Sequence, residues 1–152
     1  MMEYRPENPA KTYLKRYRAA LYRQQSLMRS LAALQDRQTN CTVKLNAIQV
    51  SSGGFVRDRM AEEIVRAMEL EDQILEQERI AAAVLKEVLT AIEAVPDEMQ
   101  KTVLTLRYVE GLDWFKISEA INYEISNTYI LHGRALWTVK KWLEAKSVLD
   151  RC

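Results

Sequence analysis

Few side chains in this 152-residue chain are placed for covalent chemistry. The single histidine, His132, has no cysteine, aspartate or second histidine near it in sequence. Packing or a hydrogen bond is therefore preferred for it over a metal or a base. The two cysteines, Cys41 and Cys152, lie far apart and form no Cys-x-x-Cys, which argues against zinc and against a disulfide framework. No glycine-rich phosphate loop and no nucleophile–base pair occurs, so neither an enzyme nor a cofactor is expected. What the chain does offer lies between Lys101 and Trp142. That stretch reads as short helices with breaks at Gly111 and at Asn122-Tyr123. A short helix, a tight turn and a helix with a polar start form the layout of a helix-turn-helix, whose chemistry is hydrogen bonding to nucleic acid.

The elements that position this stretch follow from local signals. Pro96-Asp97-Glu98 predicts a helix start, running to about Val109 with Met99, Val103, Leu106 and Tyr108 inward. Glu110-Gly111 stops it. Asp113 caps a helix from Trp114 to Ile121 that turns Trp114, Ile117 and Ile121 inward. The last helix starts at Glu124 or Ser126 and holds Thr128, Leu131, Ala135, Leu136 and Val139 on one face. Trp137 and Trp142 are left to cover a junction with the upstream helices or to face a partner.

Upstream, Asn8-Pro9 is a cap and first turn. From Lys11 to about Gln38 the seam Leu14, Tyr17, Leu21, Gln24, Met28, Leu31 predicts a helix roughly 40 Å long. The signal fades at Thr39–Thr42, and the segment 42–56, with Ser51-Ser52-Gly53-Gly54, reads as a break in which Val43, Leu45, Ile48 and Val50 have no firm structure. From Asp58 to Ala94, Met60, Ile64, Met68, Ile74 or Leu75, Ile80, Leu85, Leu89 and Ile92 predict a second helix of about 55 Å. Both apolar stripes, with Met28, Met60 and Met68, are expected to be core. Such long helices need each other, a second subunit, or both.

Composition agrees. Four glycines and three prolines are too few for a β-rich fold, so an all-α class is expected. Net charge is +1, but residues 1–40 hold eight Lys/Arg against three Asp/Glu, and residues 57–100 hold five against twelve. A basic and an acidic arm attract lengthwise, which is the preferred reading of Lys11, Lys15, Arg16 and Arg18. No apolar leader and no run near a membrane span occurs, so a cytoplasmic protein with no membrane partner is expected.

The motifs Leu104-x-Leu106-Arg107-Tyr108, Glu110-Gly111-Leu112, Trp114-x-x-Ile117-Ser118-Glu119-x-Ile121 and Gly133-Arg134-Ala135-Leu136 resemble the region-four helix-turn-helix of bacterial sigma factors. With Ser51–Gly54, Arg107–Trp114 and Tyr129–Leu136, the whole chain resembles small phage and prophage proteins of Gram-positive bacteria, whose ArpU/RinA-type relatives are regarded as activators of late transcription. The resemblance implies that Ile125, Ser126, Asn127, Tyr129, Ile130 and Gly133 read bases. It places Lys116, Arg134, Lys140 and Lys141 as candidate phosphate contacts. The sigma pattern carries arginine, glutamate and glutamine at several of these reading positions, where this chain is more apolar.

The expected architecture is a long antiparallel helical hairpin, residues 1–95 with its break at 42–56, followed by a sigma-like helix-turn-helix domain with an extended last helix, residues 96–152. The expected function is a phage-type transcription regulator that binds double-stranded DNA as a dimer, with RNA polymerase as the implied partner. Two rivals share these features. One is a small terminase subunit that recognises phage DNA for packaging, and the other a protein-interaction module that has lost DNA contact.

Overall fold

The computed structural model describes the backbone of residues 6–47 and 53–151, and the side chains of residues 6–40 and 57–151. Cys41 and Cys152 lie outside the described side chains, as do Val43, Leu45, Ile48 and Val50. Every regular element among the described residues is helical: α1 (Pro9–Ala47), α2 (Gly53–Glu93), α3 (Glu98–Leu104), a π-helical turn (Thr105–Val109), α4 (Trp114–Ile121) and α5 (Ile125–Asp150). No described helix is long and apolar enough to cross a membrane.

Local chemistry accounts for most boundaries. The Asn8 side chain accepts from the Ala10 N–H at 3.0 Å, and Pro9 holds the first helical position, where its missing N–H costs nothing. Asp97 accepts from the Gln100 N–H at 2.9 Å and opens α3, just after Pro96 has ended the preceding turn. Two boundaries differ from expectation. Helix α1 continues beyond Thr39–Thr42 to Ala47, and α2 begins at Gly53 rather than Asp58. The Thr39 hydroxyl bonds the Gln35 carbonyl one turn back at 3.0 Å, so this polar side chain is satisfied inside the helix instead of breaking it.

The chain divides into two compact units: residues 1–20 with 81–152, and residues 21–80. The first unit has one hydrophobic core. Ala10 and Leu14 of α1 meet Val88, Ala91 and Ile92 of α2, together with Val95, Leu104, Tyr108, Ala135, Leu136 and Val139. Arg16 of α1 pairs with Glu87 of α2, and Lys15 with Glu7, so part of the basic run serves the fold itself. Tyr13 meets the edge of Trp142 at 6.3 Å between ring centroids, which puts Trp142 at the junction of α1 and α5. Arg18 lies against Gly111. A Cβ on that glycine would sit 2.5 Å from the guanidinium carbon, and its φ of +75° lies in the left-handed region.

The second unit consists of α1 from Leu21 onward and the first two-thirds of α2, with Leu34 and Leu70 as buried leucines among the described residues. Its least exposed residues correct the expected stripes. In α1 the line runs Gln24, Leu27, Leu31, Leu34, Gln38, while Met28 is exposed. In α2 it runs Met60, Glu63, Ala67, Leu70, Ile74, Gln77, and Ile64, Met68, Leu75 and Ile80 face outward. Leu89, in the first unit, is also exposed. Steps of three and four are kept throughout, as a helix seam requires. Small and polar residues occupy seam positions, so the most apolar side chains do not mark the buried side.

Candidate nucleic-acid interface

The candidate site is built by α3, the π-helical turn, α4 and α5, all in the first unit. At the π-helical turn the Glu110 N–H reaches back to the Thr105 carbonyl at 3.0 Å. The extra residue in that turn allows Val103, Leu104 and Tyr108 all to be buried, with Leu106 only half-buried. Gly111 then reverses the chain. The Asp113 carboxylate accepts from the Lys116 N–H at 2.9 Å and starts α4, which buries Ile117 completely.

The turn between α4 and α5 is tight and closed. The Tyr123 N–H bonds the Ser118 carbonyl at 3.0 Å and the Asn122 N–H bonds that of Glu119 at 3.2 Å, the two bonds of a Schellman motif. Asn122 adopts the left-handed conformation this motif needs, with φ 56° and ψ 45°. Asparagine tolerates that region better than other residues bearing a Cβ. Helix α5 follows directly, with Glu124 at its cap position and no side-chain cap bond.

Beneath α5 lies a polar and aromatic cluster. The Tyr108 hydroxyl and Nε2 of His132 are 2.7 Å apart. Burial pushes the tyrosine pKa up to about 12 and the histidine down to about 4, with Lys11 and Arg107 adding to the histidine shift. Both groups are therefore neutral near pH 7, and they share one hydrogen bond. Trp114 meets His132 edge-on at 4.5 Å and packs on Tyr129 at 5.0 Å. Arg107 lies 4.7 Å from the Trp114 ring centroid and donates to the Leu112 carbonyl at 3.1 Å. His132 is thus a hydrogen-bonding core residue.

The outer face of α5 collects most of the candidate contact residues. Thr128, His132, Ala135, Leu136 and Val139 point inward. At 100° per residue this leaves Ser126, Asn127, Ile130, Gly133, Arg134, Trp137 and Lys141 along the opposite side, and all are exposed. Tyr129 flanks this line and packs on Trp114 of α4, while Ile125, in the first turn, is exposed on the side of α5 that carries Thr128 and Leu136. Lys116 is exposed on α4. Lys140 stands apart: it is half-buried and lines a groove with Glu7, Asn8 and Pro9. Lys141 is exposed, lies over the Trp137 ring at 5.5 Å and approaches Glu144 at 3.5 Å.

Two further residues join the surface. Phe115 on α4 is 64% exposed and Trp137 is 63% exposed. Both are legible in hindsight from helical spacing, because Ile117 and Ser118 inward turn Phe115 out, and Leu136 and Val139 inward turn Trp137 out. Gly133 is also informative. A Cβ there meets nothing within 4 Å, so the fold has no steric need for glycine at a helix-interior position where alanine is favoured by about 1 kcal/mol.

Comparison with protein-family models, with curated proteins and with solved structures finds no match for this chain. Its reading therefore rests on its own residues.

Proposed function

We propose that residues 96–152 form a helix-turn-helix that binds double-stranded DNA through the outer face of α5, in a phage-type transcription regulator. The observation that carries this reading is the composition of that face. That face exposes Arg134 and Lys141, the latter 3.5 Å from Glu144, and with Lys116 exposed on α4 these cations suit a polyanion. Asn127 and Ser126 supply hydrogen-bonding groups in the first turn, where a recognition helix meets base edges. Ile125, Tyr129 and Ile130 suit thymine methyls, and Lys116 and Arg134 suit phosphates. The closed turn at Asn122 supports the reading, because it fixes α5 against α4.

In the same proposal α1 and α2 are the arms of an antiparallel hairpin, and the hairpin pairs two subunits. The outward stripe Ile64, Met68 and Leu75 on α2 supports this, since it repeats at helical spacing and is left uncovered by its own chain. One head with few phosphate contacts binds weakly, and pairing on two half-sites raises affinity. RNA polymerase is the partner proposed for the activating form of this role.

A second reading is favoured by Phe115, Ile125, Tyr129 and Ile130, large apolar side chains left exposed on α4 and the start of α5 and suited to a protein partner. Selection of bound fragments from a mixed DNA library separates the two. The DNA reading expects one enriched motif, and Asn127→Ala should relax preference at a single base position of it. No enrichment contradicts it. Mass in solution separates a paired regulator from the ring of many subunits expected of a small terminase.

A further inference from the structure

We propose that Gly133 is a seat for the DNA sugar–phosphate backbone, with Arg134 and Trp137 on its rim, where α5 leaves the major groove. This rests on the DNA-binding reading and adds a subsite to it.

Glycine is among the poorest helix formers, yet Gly133 lies inside a 26-residue helix on its exposed side. Among the described residues nothing requires it: the space a Cβ would occupy is open. What its absence offers is close approach from outside, as glycine does where another backbone must come near. One turn below stand Tyr129 and Ile130, and one turn above stands Trp137, so the missing side chain leaves a notch between large ones. Arg134 is the adjacent residue and Lys141 lies one turn beyond Trp137.

Position along the helix selects the occupant. At ~1.5 Å per residue Gly133 lies about 12 Å from Ile125, close to the roughly 12 Å width of the major groove. A helix that reads bases with Ile125–Ile130 therefore crosses the groove edge near Gly133. The exposed cations of this face, Arg134 next to the notch and Lys141 beyond Trp137, suit a phosphate strand. Trp137, 63% exposed beside these cations, offers its ring to the deoxyribose.

The test is Gly133→Ala and Gly133→Ser in the full chain, read by thermal melting and by anisotropy with a labelled mixed-sequence duplex of about 30 base pairs, roughly three helical turns. The alanine variant should melt a few degrees higher, as helix propensity requires, and bind roughly tenfold more weakly. Serine should bind more weakly without needing the gain in melting temperature. Trp137→Ala should weaken binding severalfold. Wild-type binding that Arg134→Ala weakens and both Gly133 variants leave intact overturns the seat while sparing the DNA reading. Absence of any salt-dependent binding by the wild type overturns both. A protein partner lost in Gly133→Ala, with DNA affinity unchanged, also overturns it.

Discussion

The Tyr108 hydroxyl and Nε2 of His132 share a hydrogen bond across 2.7 Å, joining the π-helical turn to the first third of α5. Twenty-four residues separate the two in sequence, so the bond holds α5 against the π-helical turn rather than stabilising a local turn. Tyr108→Phe removes the hydroxyl and leaves a buried ring nitrogen of His132 unsatisfied. The expected cost is about 1–2 kcal/mol, or a few degrees of melting temperature at roughly 2–4 °C per kcal/mol. Denaturant unfolding of the two proteins checks it.

The same pair gives a pH dependence with a defined sign. His132 is 8% exposed, and burial lowers its pKa from 6.5 to about 4. The unfolded chain then binds the proton more readily than the folded one. Stability from this group is complete above about pH 6.5 and is lost as pH falls toward 4. By pH 5 the loss should be about 1–2 kcal/mol. His132→Gln, which accepts a hydrogen bond but does not titrate here, should show a flatter stability profile between pH 7 and 5, measured by urea titration at each pH.

Gly111 and Arg18 should be coupled. Gly111→Ala places a Cβ 2.5 Å from the guanidinium carbon at a φ of +75°, and should cost about 1–3 kcal/mol. Removing Arg18 relieves the clash and not the backbone strain. The double variant Gly111→Ala with Arg18→Ala should therefore be more stable than the sum of the two single changes predicts, which a double-mutant cycle measures.

How much of this was legible depended on distance along the chain. The starts of α1, α3 and α4 follow from Asn8, Asp97 and Asp113, because a cap acts within three residues and its chemistry is local. The glycine stop and the Asn122 turn were legible for the same reason. The buried lines of α1 and α2 were not. Ala67, Gln77 and Gln38 hold seam positions, whereas the larger Met68, Leu75 and Met28 face out. Hydrophobicity alone points to the wrong side of a helix that has two apolar stripes. The Tyr108–His132 pair was also hidden, since only tertiary packing brings it together. On the candidate interface, α5 brings Ser126, Asn127, Ile130, Gly133, Arg134 and Lys141 to one face, while Lys140 turns toward the residues before α1.

The outward stripe of the arms makes its own prediction. Met68→Lys places a charge on the uncovered side of α2, at a residue 60% exposed. Helicity and melting should change little in dilute protein, because the side chain is mostly exposed. Sedimentation velocity should shift from dimer to monomer. An unchanged dimer would remove this stripe from the interface.

The central claim is that the outer face of α5 binds duplex DNA. The most direct measurement is the salt dependence of binding of the full chain to a labelled duplex carrying the selected motif, compared with Arg134→Glu. Contacts from Lys116, Arg134 and Lys141 predict that affinity falls with salt at a log–log slope of about −2 to −3 per bound subunit. Arg134→Glu should abolish binding at moderate salt while leaving the melting temperature near that of the wild type. A flat salt profile, or wild-type affinity in Arg134→Glu, contradicts the claim.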